Sequence, residues 1–573
     1  AAEREPESPV IRVAVVDAWI ALGHDRKARE AAEEALARAN GLSRPDRLAV
    51  EGRAAEARKD WPKAIETYGA LFRFFPDDLE NGLKFASVET SGGRSRDALA
   101  TVDELRRLPE PAGRDPRVDL AEAAAAAELG EQQRSLDAAR NALRKATAIG
   151  AQTLAARARV REAAECSRLG RPDESLAASE AALSLSRAIG DSFGVSRALN
   201  EKAVALWDKG DLDGAEKTLR TSLDLATRNG NEKTAAACLG NLAGLRVERD
   251  DSKGARDLYL RCLEISRDIG DKGKAAAALM SLANVESVVV DDATALAHLS
   301  EAMTIYRETE NKRGIGYCLE QIGSVQIETG DLDGARRSLE ESAAVLREAK
   351  NERVLAKTLV EQGEVTKWKG DLSAARSLFE ESLAMATKTG DEMQVLRCKR
   401  RLLEQLLFEK RFKEAQALAG ELAASFQKKS MVADQAECVA YGALALLRQG
   451  TVDGARASLA AIASPSGRSP SGGWRQNRTI AEALITAWSG DSDRQVRRLR
   501  DFAAESRRRG DRLDAWRAVL AAAEIEIHAG RFVEARKRLV PLQEETRARG
   551  YELLAREAGD LLKSVPLQPA ERL

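Results

Sequence analysis

Three histidines, six cysteines and a recurring pair of aspartates are the residues whose types could do chemistry in this chain. A zinc or catalytic histidine needs a partner close by, as in His-Glu-x-x-His. His24, His298 and His528 lie hundreds of residues apart with no second histidine at helical spacing, so surface or groove-edge positions are expected. None of Cys166, Cys238, Cys262, Cys318, Cys398 and Cys438 falls in a Cys-x-x-Cys pair. Cys238, Cys318, Cys398 and Cys438 share one position of a repeat whose other copies carry Ala198, Ala278 or Thr358, so the site asks for a small side chain. Equivalent sites in adjacent repeats stand roughly 10 Å or more apart, beyond the ~7 Å reach of a disulfide. Free thiols suit a reducing compartment, and a cytoplasmic location is expected. Asp211-Leu212-Asp213-Gly214 opens like a calcium loop but lacks the third acidic position and the closing glutamate. Its carboxylates fit better at a helix start, where they accept from free backbone N–H groups. No Gly-x-Ser-x-Gly elbow, phosphate loop or kinase catalytic loop is present. The expectation is a non-enzymatic chain with no metal and no cofactor.

The elements that position these residues follow from their spacing. GDLDGA occurs at 210–215 and again at 330–335, with relatives at 251–255, 370–375 and 450–455. Ala215, Ala255, Ala295, Ala335, Ala375, Ala415 and Ala455 are each 40 residues apart. Gln495 and Ala535 continue the step forwards, and Ser175 and Ser135 continue it backwards. It then shortens through Ala98, Ala64 and Ala28, making 14 units. A fixed period of this size marks a repeat array, in which stacking of neighbours supplies the core. Within 235–270, Leu239, Leu242, Ala243 and Leu245 form one helical stripe, and Ala255, Leu258, Tyr259, Cys262, Leu263 and Ile265 form another. Each unit is therefore a helical hairpin. Gly210 ends its first helix, Asp211 and Asp213 start its second, and Ala215 is small because the two helices approach closely there.

Composition limits the partners. Charged residues make up 32% of the 573 but leave a net charge of −1, which offers no case for nucleic acid or an anionic membrane. No apolar run reaches the ~18 residues of a membrane span. The start, AAEREPESPV, has no initiator methionine, so a processed chain or a piece of a longer one is expected.

The units resemble tetratricopeptide repeats, Trp-x2-Leu-Gly-x2-Tyr, then Ala-x3-Phe, then Pro. Leu319, Ile322 and Gly323 carry the first half, as do Leu359 and Gly363; Ala255–Tyr259, Ala335–Leu339 and Ala375–Phe379 carry the second. Ala64, Tyr68 and Pro76 keep the 34-residue form. The longer units are similar to those of kinesin-light-chain-like and bacterial regulatory arrays. The resemblance implies an all-α, right-handed superhelical solenoid of about 14 antiparallel helix pairs. It also implies a cytoplasmic protein- or peptide-binding module, as in the C-terminal part of bacterial signalling proteins that carry a kinase or winged-helix domain. A structural scaffold joining large partners by its ends or by self-assembly is the alternative.

In such arrays the first helices line the concave side. The stripe they do not use within the hairpin holds Asn200, Trp207, Asn241, Met280, Asn284, Tyr317, Gln321, Lys357, Trp368, Arg397 and Arg401. Amides there can donate to and accept from a peptide backbone. Arg397 and Arg401 would favour an acidic ligand residue, while Trp207 and Trp368 serve equally well as packing between repeats. Four regions are expected: irregular units at 1–134, regular 40-residue units at 135–463, a flexible Pro/Gly/Ser break at 464–473, and C-terminal units with a cap at 474–573.

Overall fold

The hairpin pattern is realised as a run of helices every 20 residues. The computed structural model describes residues 9–21, 25–249, 251–349, 351–429, 431–461 and 473–566. These hold 29 α-helices and one short 3-10 turn, Ala112–Arg114, with no strand among the described residues. His24 lies outside them, as does the expected break at 464–473 apart from Gly473, which opens the helix Gly473–Ala487. The helices pack consecutively as 14 pairs, and Glu552–Lys563 follows as a last single helix. The chain is an all-α array of helical hairpins.

Each junction has a local cause. At the inner turn Gly210 takes φ +86°, the left-handed conformation that ends a helix without a Cβ penalty. Asp211 then caps Leu212–Arg228, its Oδ1 accepting from the Gly214 N–H at 2.9 Å. Asp331 and Asp371 do the same for Leu332–Glu348 and Leu372–Lys388. Asp333 stands two residues further in, exposed, and pairs with Lys369 at 2.9 Å. The alanine column is buried from Ala28 to Ala535, and Ser135, Ser175 and Gln495 are buried in its gaps.

Successive hairpins are stapled by a second small column. Ser222, Ser342 and Ser382 lie on second helices and donate to the Ser196, Gly316 and Ala356 carbonyls of the preceding first helices at 2.6–2.7 Å. The same hydroxyls meet Cys238, Thr358 and Cys398 of the following first helix at 3.0–3.1 Å. The cysteine position is therefore small and weakly polar for a reason, and all six cysteines are free and buried.

The chain divides into two compact units. Unit 1 comprises Ala1–Arg246, Gly254–Ser281 and Glu301–Gly314; unit 2 comprises Val247–Lys253, Leu282–Ser300 and Ile315–Leu573. Unit 2 folds back on itself. Ile327, Leu332 and Trp368 share one apolar cluster with Trp516, Tyr551 and Leu554. The Tyr551 hydroxyl donates to the Ile327 carbonyl, and Arg556 reaches the Gly370 carbonyl at 3.1 Å. No helix among the described residues is long and apolar enough to cross a membrane.

Candidate functional site on the first-helix face

The eleven stripe residues are divided between the units. Asn200, Trp207, Asn241 and Met280 belong to unit 1, and Asn284, Tyr317, Gln321, Lys357, Trp368, Arg397 and Arg401 to unit 2.

In unit 2 two of the seven stripe residues, Trp368 and Gln321, are buried. Trp368 is 1% exposed, with Phe408 edge-on at 5.8 Å and Tyr551 at 6.3 Å between ring centroids. Of the two readings its position allowed, packing is the one its surroundings support. Its neighbour Lys367 is also fully buried, with Nζ 2.8 Å from Glu364 and 2.6 Å from Glu404. Arg517 joins Glu404 at 3.2 Å although 113 residues separate them, so the first-helix face of this unit is concave enough for one repeat to reach across two others. Arg517 also donates to Asn477 at 2.6 Å, Asn477 to Glu437 at 2.8 Å, and Arg400 to Glu437 at 2.6 Å. Burial opposes ionisation of Glu404, but Lys367, Arg517 and Arg401 hold its carboxyl far below the usual range.

Arg401 is therefore not an unmatched cation. It lies 3.7 Å from Glu364, and against the pull of burial the carboxylates of Glu364, Glu361 and Glu404 raise its pKa. The Lys357 ammonium sits 5.1 Å from the Tyr317 ring centroid, and Gln321 is buried with its Oε1 unbonded. Arg397 and Asn284 are exposed. Burial, then Glu361, pushes Glu320 up to about 7, while Lys357 and Arg397 pull it the other way.

Unit 1 presents the opposite balance. Its first helices Gln152–Arg168, Ser192–Asp208 and Glu232–Glu248 stand in successive repeats. Arg157 and Arg161 lie one turn apart on the first of these, and Arg197 occupies the place of Arg157 in the next repeat. Arg161 is 3.5 Å from Glu165, but Glu165 is held more closely by Arg168 at 2.6 Å. Neither Arg157 nor Arg197 has an ion pair among the described residues. Burial first, then the guanidiniums of Arg157 and Arg161, pushes Arg197 down to about 10. Beside this cluster an amide bridge crosses the repeat boundary, Asn241 Nδ2 donating to Asn200 Oδ1 at 3.0 Å, while Asn200 donates to Glu201 at 3.0 Å. Trp207 lies over Gly244 of the next repeat, where a Cβ would run into its ring. Met280 is half-buried.

The three arginines were missed in the sequence although a signal existed. Arg157 and Arg197 occupy the same repeat column as Tyr317, Lys357 and Arg397. Following that column back through the 40-residue step reaches Arg157 and Arg197, and the column of Asn241, Gln321 and Arg401 leads back to Arg161.

The other candidate chemistry is quiet. His298 pairs with Glu286 at 2.7 Å, and His528 stacks on Trp488 at 4.1 Å between centroids. Among the described residues no three His, Cys, Asp or Glu side chains gather in a way that could hold a metal ion.

Residues 194–268 match the tetratricopeptide repeat family, which covers two of the hairpins. No curated protein sequence matches the chain. Among solved structures it is similar to a Rap protein complexed with competence and sporulation factor, at 13% identity over 71% of this chain and 99% of that one, with a TM-score of 0.41. It is similar to the apo form of the quorum sensor NprR from B. thuringiensis, at 13% identity over 59% and 98%, with a TM-score of 0.43. BtubC (BKLC) from P. vanneervenii matches at 18% identity over 38% and 92%, with a TM-score of 0.33.

Proposed function

We propose that the chain is a non-catalytic peptide- or protein-binding array, and that the first-helix face of unit 1 takes an extended segment carrying an acidic residue. The observation that carries this reading is the cluster of Arg157, Arg161 and Arg197, which places three guanidiniums together with only one ion pair among them. Like charges held together repel, and a carboxylate ligand relieves that repulsion while accepting charge-assisted hydrogen bonds. The half-buried amide of Asn241, held by Asn200, stands next along the same face and suits a peptide backbone. A regulatory role within a larger bacterial signalling protein fits such a binder, as does a cytoplasmic location.

Selection of a random peptide display library against the intact chain tests the reading. The selected peptides should be enriched in Asp and Glu. A hydrogen bond to a charged group is worth about 1.5–3 kcal/mol, so Arg197→Gln and Arg157→Gln should each weaken capture about tenfold to a hundredfold. Both side chains are at least partly exposed, so the melting temperature should hold. Selected peptides without acidic residues, or undiminished capture by both variants, would contradict it.

A further inference from the structure

On the second-helix side of unit 1 a hollow of about 420 Å³ opens between Leu212–Arg228 and Ser252–Asp268, floored by the first helix Glu232–Glu248. Leu239 and Leu242 form the floor, and half-buried Leu223 and Leu258 form the walls. Arg220, Arg246 and Arg261 stand around it with a single lining carboxylate, Asp224. Asp224 is itself paired with Arg228 at 2.9 Å. Arg220 and Arg246 share one partner, Glu216, at 2.7 and 3.5 Å.

This rim departs from the rest of the array. The position of Arg261 is glutamate in four later repeats, Glu301, Glu341, Glu381 and Glu421, and that of Arg220 is Glu180, Glu340 and Glu380. The position of Arg246 is Leu206, Leu406 and Leu446 in three other repeats, and the position of Leu258 is Thr218, His298 and Ser338 in three, though Leu378 and Leu418 keep the leucine. At this boundary arginines stand around an apolar hollow where sibling repeats carry glutamate or leucine. Hairpin packing does not require the arginines, since the sibling repeats pack with the other residues.

We infer that this hollow is a second docking site, separate from the first-helix face, for an amphipathic helix of a partner protein whose apolar edge is flanked by Asp and Glu. The leucines bury the apolar edge, and the arginines match the flanking carboxylates while repelling a basic segment. The charge of the rim is what selects this occupant over a basic helix.

The probe is a fluorescein-labelled 16-residue helical peptide with leucines along one face and glutamates beside them, titrated with the intact chain and followed by anisotropy. A matched peptide with lysine for glutamate is the control. The acidic peptide should bind and the lysine peptide should not. Arg261→Glu and Leu258→Ser install residues that sibling repeats already carry, so both variants should fold, and each should weaken binding about tenfold or more. A peptide selected on the first-helix face should not displace the probe. Equal binding of both peptides, no change in either variant, or displacement by the first-helix ligand would each overturn the inference. So would sedimentation showing self-association of the parent that Arg261→Glu abolishes, since the occupant would then be a second copy.

Discussion

At the scale of single residues the array hides charge that its period does not announce. Glu89 is buried and accepts from the Thr101 hydroxyl at 2.8 Å, and burial pushes its pKa up to about 7 from 4.5. A carboxyl whose folded pKa is raised stabilises fully below its unfolded value and loses that contribution as pH rises through the folded one. The window is therefore about pH 4.5 to 7. Raising pH from 5 to 8 should lower the melting temperature, and Glu89→Gln should remove part of that fall; identical slopes in the two proteins would refute the assignment. Lys367 makes the complementary case. Removing one partner of a buried ion network leaves uncompensated charge, so Lys367→Met should cost about 3 kcal/mol in denaturant unfolding. Sequence reading chose Trp368 on this helix and Arg401 on Glu392–Phe408, and passed over Lys367. Apolar and basic residues one position apart cannot be ranked for burial until the far repeats that cover them are known.

At the scale of elements the sequence was nearly sufficient. The alanine column, the left-handed glycines and the capping aspartates recur in repeat after repeat, and each has a physical cause within its own hairpin. Asp331→Ala should cost about 1 kcal/mol as a lost cap, and Ala335→Leu about 1–3 kcal/mol by overpacking a position with no exposed surface. Replacing Gly210 or Gly330 by alanine puts a Cβ at φ +86° in either case, at about 1 kcal/mol. Gly210 has open space around it, whereas a Cβ at Gly330 would lie 3.1 Å from the Trp516 ring. Gly330→Ala should therefore be the more destabilising of the two in thermal unfolding. Equal effects would mean that Trp516 does not press on this turn.

At the scale of the whole molecule each unit goes beyond nearest-neighbour stacking. Periodicity encodes what one hairpin presents to the next, so the contact between Tyr551 and Ile327, 224 residues apart, was not legible in the sequence. Neither was the ion-pair network around Lys367 in unit 2, nor the arginine cluster on the first-helix face of unit 1. Tyr551→Ala should speed hydrogen exchange near Ile327 as well as beside the mutation, whereas a purely nearest-neighbour array would respond only locally. The central claim is that ligand binds on the first-helix face of unit 1, and the most direct measurement is where a bound ligand lies. An acidic peptide from the display selection, carrying a photoreactive group and cross-linked to the intact chain, should attach by mass spectrometry to residues of 152–168, 192–208 and 232–248. Cross-links confined to second helices or to unit 2 would contradict the account.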